Sequence, residues 1–459
     1  MTAESQATVG PGTGSGLWDP EIRSVSGGAT ALIALFATEY IAVGTAMPTV
    51  ARALDGLGLY ALAFGATIAT GVIGMILGGW WSDRAGPGQV VAAGCAVFAG
   101  GLLVAGLAPT MEVFVAGRAV QGLGSGLASV AVYVLIAQRV PDVLRPKVFS
   151  LLAAAWVLPG LIGPVATGLV VEFLTWRWVF LGVVPLVLAA LLVLRPALLG
   201  TSRSHDASYL GPATIGWAVL AALSVGVLNL AGESIQPREV LVGAPVVLLL
   251  VLAAWRLLPP GTLGLGRGLP SVIAARGAIG ASFMAAEAYL PLLLQDRHDY
   301  APAAAGAVLA VGSVTWALGS WVQGRLADQV DRYRLLVRGC LPIAAGLVVL
   351  VVSVAADWPG WTVLVVWAVV SLGVGLSYPT TSLLTLRLSP PAEVGRNSSS
   401  LQVSEALASA VALAVAGAAF TALYAGSHLH AFLSVTCVGL VAGFLAVLTS
   451  SRARPHPHP

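Results

Sequence analysis

Few ionisable residues stand inside the long apolar runs of this 459-residue chain, and four of them can do chemistry there: Glu39, Arg118, Glu287 and Glu405. An ionised side chain at membrane depth is costly, so each is a functional hypothesis by default. Glu39 lies about twelve residues into the first apolar run, roughly 18 Å deep at a 1.5 Å rise per residue. Arg118 lies about six residues into the fourth run, entered from the opposite face, and so reaches nearly the same level. The two can pair. Burial favours a neutral carboxyl and a nearby guanidinium an ionised one, so protonation would follow the distance between them. A static structural ion pair is the alternative. Glu287, with Tyr289 and Pro291 just after it, is nearer the other face and suits either proton or cation handling or a hydrogen-bonded place in a wall. Glu405 lies close enough to a helix end to be partly solvated, and reads as structural.

Glycines mark a second kind of site. The second run ends Gly79-Trp80-Trp81-Ser82-Asp83-Arg84-Ala85-Gly86. A glycine there lets a neighbouring helix approach, and the Asp can accept hydrogen bonds from a helix N-terminus and pair with an Arg, which together make a latch. An ordinary polar loop is the bland alternative, but the pattern recurs around Gly324 and Asp328 and favours gating. The fourth run holds Arg118-Ala119-Val120-Gln121-Gly122-Leu123-Gly124-Ser125-Gly126, and the fifth holds Gly160, Gly163, Pro164 and Gly168. Such spacings thin a helix for close packing, and Pro164 removes one backbone hydrogen bond.

The elements that position these residues are membrane helices. The chain is 58% hydrophobic and 9% charged, with a mean hydropathy of +0.90, against about 25% charged in a soluble domain. A net charge of +3, its basic residues scattered through short loops, excludes nucleic acid as a partner. Cys95, Cys340 and Cys437 each sit in an apolar run as small hydrophobes, so neither disulfide framework, metal site nor cofactor is expected. A cleaved signal peptide is not expected, and the first helix would itself direct insertion.

About 20 apolar residues cross a bilayer, and fourteen runs qualify: 27–50, 57–81, 89–108, 112–138, 147–171, 176–195, 210–231, 239–258, 270–295, 303–325, 334–356, 361–388, 398–423 and 428–450. Between runs 7 and 8, residues 232–238 can form a re-entrant turn as the alternative to two full spans. An even count puts both termini on one side. Placing them in the cytoplasm gathers Arg84, Arg139, Arg145, Lys147, Arg325, Arg334, Arg338 and most other basic residues there, and leaves Arg52, Arg177, Arg238 and Arg297 opposite. The expected layout is a cytoplasmic tail (1–26), a six-helix half (27–195), a linker with two extra helices (196–269), a second six-helix half (270–450) and a cytoplasmic tail (451–459). Gly74, Gly79 and Asp83 recur as Gly319, Gly324 and Asp328, offset by 245 residues, and Gly124 to Leu127 recur as Gly373 to Leu376, offset by 249. Two halves separated by an insertion give such offsets.

Together these segments resemble the major facilitator superfamily, and more closely its fourteen-span drug:proton antiporters. The resemblance covers nearly the whole chain in architecture, with its sharp motifs in residues 39–185. The family's Gly-x-x-x-Asp-Arg-x-Gly loop is met by Gly79, Asp83, Arg84 and Gly86, and its Arg-x-x-Gln-Gly by Arg118, Gln121 and Gly122. The antiporters' Gly-Pro-x-x-Gly-Gly is met by Gly163, Pro164 and Gly168, and Trp-Arg-Trp-x-Phe by Trp176 to Phe180. Pro87 and Gly88 depart from the basic residues usual after Gly86, Thr167 from a glycine, and Val183 from a frequent Asn. Glu39 stands nine residues before Pro48, where the family often has Asp, so the carboxylate has a longer arm. The resemblance implies an all-α bundle of two rocking six-helix halves around a central cavity, two additional helices at the periphery, and proton-coupled efflux of small, largely hydrophobic compounds from the cell membrane. A proton-coupled importer or a lipid exporter on the same fold is the alternative. An intramembrane enzyme is the rival of another class, and the sequence has no His-Glu-x-x-His to support it.

Overall fold

The computed structural model describes residues 20–141, 144–199, 201, 212–231, 237–326, 329–390 and 393–455, and all of its regular structure is helical. In chain order the α-helices are α1 (Pro20–Ala53), α2 (Tyr60–Ala85), α3 (Pro87–Gly106), α4 (Met111–Arg139), α5 (Arg145–Ala154), α6 (Val157–Phe173), α7 (Arg177–Leu181), α8 (Val183–Leu198), α9 (Pro212–Ala231), α10 (Pro237–Leu257), α11 (Leu269–Glu287), α12 (Leu290–Arg297), α13 (Pro302–Leu326), α14 (Arg332–Ala355), α15 (Trp361–Leu388), α16 (Val394–Tyr424) and α17 (His428–Ser451).

Among the described residues every one of the fourteen expected runs is helical, but the structure qualifies the count of spans. Eleven stretches among the described residues are long and apolar enough to cross a membrane, and three more, Val157–Phe173, Gly216–Leu228 and Pro245–Leu257, are shorter. These three fall in runs 5, 7 and 8. Runs 5, 6 and 9 are also interrupted, and the reason is common to all three. Pro159, Pro185 and Pro291 have no N–H to give the carbonyl four residues earlier, which belongs to Ala155, Leu181 and Glu287. The helices break at or just after those residues, between α5 and α6, α7 and α8, and α11 and α12. Pro48, Pro164, Pro342 and Pro379 are instead carried inside helices.

The internal repeat is visible at the level of single atoms. α2 and α3 pack along α4, and α13 and α14 pack along α15 in the same arrangement. A methyl on Gly126 would stand 3.0 Å from the Cα of Gly74, and one on Gly375 3.0 Å from the Cα of Gly319. A methyl on Gly124 would stand 2.7 Å from the carbonyl oxygen of Gly94, and one on Gly373 2.7 Å from that of Gly339. The glycines let the helix backbones touch at matching points. The helices before α9 and those after α10 meet along α6 with α13, α2 with α16, and α1 with α12 and α13, while α9 and α10 pack together against α2 and α16.

Candidate functional site

Glu39 and Arg118 meet inside the first half. Glu39 on α1 is 3% exposed and Arg118 on α4 is 2% exposed, and Arg118 Nη1 donates to Glu39 Oε1. The same guanidinium nitrogen donates to Gln121 Oε1 at 2.8 Å, and Gln121 Nε2 reaches Glu39 Oε1 at 3.4 Å. Arg118 Nε donates to the carbonyl of Ala63 on α2 at 3.3 Å. Helix α4 is held in register by Thr67 and Thr70 of α2, whose hydroxyls donate to the carbonyls of Arg118 and Ala119 at 3.1 and 2.7 Å. A Cβ at Gly122 would collide with the Thr67 carbonyl and the Thr70 hydroxyl. Gly122 therefore permits the close approach that brings Arg118 under Glu39, and Gln121, one turn beyond Arg118, completes the shell around the carboxyl.

The neighbouring residue faces elsewhere. Tyr40 turns into a cleft between the halves, where it meets Phe64, Met284, Glu287, Leu309 and Ser313. Its hydroxyl lies 3.7 Å from Met284 Sδ, and its ring stands edge-on to Trp156 at 6.1 Å. Glu287 is the last residue of α11, at the break before Pro291, and has no hydrogen-bond or ion-pair partner among the described residues. The two acids thus occupy different environments. Glu39 is enclosed within one half with a guanidinium, and Glu287 borders the seam between halves, among aromatic and sulfur groups suited to a partly apolar ligand.

Residues 160–172 of α6 form one side of that seam. A Cβ on Gly168 would lie 2.6 Å from the backbone nitrogen of Ala303 on α13, and that nitrogen donates to Glu172 Oε1 at 3.2 Å. A Cβ on Gly306 would stand 3.0 Å from the Pro164 carbonyl. Gly163 is less constrained, since a Cβ there would meet Ile41 Cγ2 at an ordinary 3.7 Å. The seam also closes through Tyr60, whose hydroxyl donates to the Ala288 carbonyl at 2.8 Å, and through Arg52, which donates to Gln295 at 3.1 Å. These contacts lie toward the end that carries residues 54–59. No extended contact joins α4 and α5 to α14 and α15 at the other end among the described residues.

At that other end, Arg84 folds back onto its own helix, stacking on Trp80 at 4.2 Å and donating to its carbonyl at 3.2 Å. Asp83 is half-buried with no partner among the described residues, and Gly79 lies four residues before it on α2. Gly86, at φ +87°, turns the chain into α3, and Gly88 N donates to Thr201 Oγ1 at 3.3 Å. A Cβ on Gly324 would meet open space. Asp328 lies outside the described residues. The Trp176 to Phe180 segment serves the opposite end: Arg177 donates to the Ala108 carbonyl at 2.9 Å and stacks on Trp176, and Trp176 and Phe180 both meet Phe114 edge-on.

One constellation escaped the sequence reading. Arg276 on α11 donates through Nε to Glu405 Oε2 on α16 at 2.7 Å, and through Nη1 to Thr381 Oγ1 at 3.3 Å and the Tyr378 carbonyl at 3.2 Å on α15. The Tyr378 hydroxyl donates to Glu405 Oε1. The signal was available, because Arg276 is a charged residue well inside run 9. Glu405 is 29% exposed at its side chain, in keeping with the partial solvation expected of it.

Comparison with known proteins gives this geometry a context. The family model described as Major Facilitator Superfamily matches residues 29–413. A probable multidrug-efflux transporter of Mycobacterium tuberculosis is 27% identical over 447 residues, covering 90% of this chain and 92% of that one. A multidrug transporter protein of Bacillus subtilis is 23% identical over 85% of this chain and 74% of its own. Among solved structures, a bacterial homologue of the human lysosomal transporter Spinster, described as inward-facing and unoccupied, superposes with a TM-score of 0.69 at 12% identity over 97% of this chain and 100% of that one. A D-xylose–proton symporter gives 0.66 at 18% identity over 93% and 97%. At these identities the solved structures establish a shared fold.

Proposed function

The chain belongs to the major facilitator superfamily, and we propose that it is a proton-coupled antiporter that exports small, largely hydrophobic compounds, drugs among them, by alternating access. Family and fold make it a multi-pass membrane transporter rather than an enzyme, and of the two relatives described above one is named a probable multidrug-efflux transporter and the other a multidrug transporter. The finer reading rests on one observation, the enclosed Glu39 carboxyl held between Arg118 and Gln121. A carboxyl so enclosed changes charge only when its surroundings change, and α1, which carries it, packs on α12 and α13 across the contact between the halves that a rocking motion would disturb.

In this reading all fourteen helical runs cross the plasma membrane, in two six-helix halves with a two-helix insertion. Both termini are cytoplasmic, as the Arg bias favours, and the 54–59 end is external. Glu39 carries the proton, Glu287 and Tyr40 border the substrate path, and α6 with α13 is the seam that opens. Asp83 with Arg84, and Asp328 in the second half, latch the cytoplasmic end when it closes.

Transport into everted membrane vesicles is the direct test. With an imposed proton gradient, acid inside, the wild type concentrates a hydrophobic dye in the lumen and Glu39→Gln does not. Accumulation by intact cells instead of by everted vesicles would reverse the direction and favour an importer.

A further inference from the structure

We propose that the end of the bundle between α14 and α17 holds a specific site for the headgroup of an anionic phospholipid. This reading is independent of the direction of transport and of the role given to Glu39.

A pocket opens there between the first turns of α14 and the last turn of α17, lined by Tyr333, Arg334, Arg338, Ser450, Ser451 and Arg454. Three guanidinium groups converge on it against one carboxylate. That carboxylate, Asp331, is engaged: it caps α14 by accepting from the N–H groups of Tyr333 and Arg334 at 2.9 and 3.2 Å, and takes Arg454 at 2.6 Å. Burial is the largest single influence on the Asp331 carboxyl and pushes it up, but the backbone donors of Arg334 and Tyr333 and the Arg454 guanidinium together outweigh it and leave it below its ordinary range. It therefore stays charged at neutral pH and holds Arg454 at the rim. The side chains of Arg334 and Arg338 have no partner among the described residues, are exposed, and stand one helical turn apart on α14. Two uncompensated guanidinium groups with a third beside them match a phosphodiester, which Arg binds through paired N–H donors.

The surroundings select a lipid over a soluble anion. Along the same two helices, just inside the pocket, the exposed side chains become apolar: Leu341 on α14, and Phe444, Leu445 and Leu448 on α17. A headgroup held by Arg334 and Arg338 would run its acyl chains down this strip. A basic pocket between helices at the end of the hydrocarbon region is the arrangement by which membrane proteins take anionic headgroups. Acidic headgroups would thereby fasten α14 to α17, which pack against each other along their length.

The test compares lipids on the purified full-length protein by native mass spectrometry in detergent, with dioleoylphosphatidylglycerol, dioleoylphosphatidylcholine and inorganic phosphate as probes. Wild type should retain phosphatidylglycerol at lipid concentrations where phosphatidylcholine is lost and phosphate leaves no adduct. The Arg334→Gln/Arg338→Gln double variant should bind phosphatidylglycerol about thirtyfold more weakly, since each surface cation contributes about a factor of five. Arg387→Gln, an exposed arginine at the end of α15, should bind as wild type does, and an unchanged thermal midpoint in phosphatidylcholine should show the double variant folded. Equal retention of both lipids by the wild type, or undiminished phosphatidylglycerol binding by the folded double variant, overturns the proposal. So does phosphate bound as tightly as phosphatidylglycerol and lost in the double variant, which would make this a soluble-anion site.

Discussion

Arg276 and Glu405, 129 residues apart, form an ion pair of 2.7 Å between α11 and α16, so each half of the bundle carries an acid–base pair of its own. The two differ in enclosure. Glu39 and Arg118 are almost wholly withdrawn from solvent, whereas Glu405 stays partly exposed and is shared with Tyr378. The second pair has the geometry of a clamp joining α11, α15 and α16. Arg276→Gln is expected to cost about 2 kcal/mol, the worth of hydrogen bonds to a charged group, and to lower the thermal midpoint of the purified protein. Proton-to-substrate coupling should persist in Glu405→Gln. Loss of gradient-driven transport in Glu405→Gln, with the folded protein intact, would move the proton carrier to this cluster.

The matched glycines predict matched energetics. Gly126→Ala and Gly375→Ala each force a methyl against the backbone of a neighbouring helix, at 2.9 Å from the amide nitrogens of Met75 and Ser320 respectively. Overpacking of this kind costs about 1–3 kcal/mol. Gly324→Ala meets open space and gains helix propensity of up to about 1 kcal/mol. Thermal midpoints should fall together for the first two and hold or rise for the third. A fall in only one of the pair would mean that the two halves do not share this packing.

Much of the arrangement was legible before the structure, for reasons that also explain what was not. Glu39 and Arg118 could be brought to one level by helical rise alone, because two runs entered from opposite faces leave little freedom in depth. The breaks in runs 5, 6 and 9 were equally present in the sequence, in the prolines four residues downstream, but a long apolar run looks continuous when only hydrophobicity is counted. Which way Glu287 and Tyr40 point is not encoded locally. α11 is buried on nearly every side, with apolar residues spread around it, so no apolar stripe distinguishes its cleft face from its packed face. Arg276 was visible as a charge, but its partner depends on how α11 crosses α16.

Helix α6 separates two glycines that the sequence treats alike. Gly168→Ala places a methyl against the backbone of Ala303 at the seam, and Gly163→Ala adds only an ordinary contact with Ile41. Gly168→Ala should therefore arrest or markedly slow transport while Gly163→Ala stays close to wild type, with both proteins reaching the membrane, because insertion follows overall apolarity. Drug accumulation in cells expressing each variant at equal surface level checks this. Similar rates for the two variants would show that the α6–α13 seam is not remade during transport.

The latch is read best from what Asp83 lacks here. With Arg84 stacked on Trp80 and no partner on Asp83 among the described residues, the carboxylate contributes little to this conformation and is available to the opposite one. Asp83→Asn should leave the thermal midpoint unchanged yet slow transport, and by more than Asp328→Asn, because only Asp83 stands in a motif complete with Arg84 and Gly86. Wild-type transport rates in both variants would remove the gating role.

Glu39 bears the strongest prediction. Glu39→Gln keeps the size of the side chain and its capacity to accept from Arg118 Nη1, but it cannot lose a proton, so gradient-driven efflux should collapse while binding of neutral compounds largely survives. Cationic compounds should bind more weakly, having lost an opposite charge. Substrate added to unbuffered wild-type protein should release protons, and Glu39→Gln should release none, since binding that lowers a group's hold on its proton must expel it. Arg118→Ala removes the charge that favours the ionised carboxyl, so a higher pH is then needed to discharge the same proton. The acid limb of the transport pH profile should accordingly move to higher pH in that variant. Concentrative efflux retained by Glu39→Gln would exclude Glu39 as the carrier and direct the same measurements to Glu287, the acid that borders the cleft between the halves.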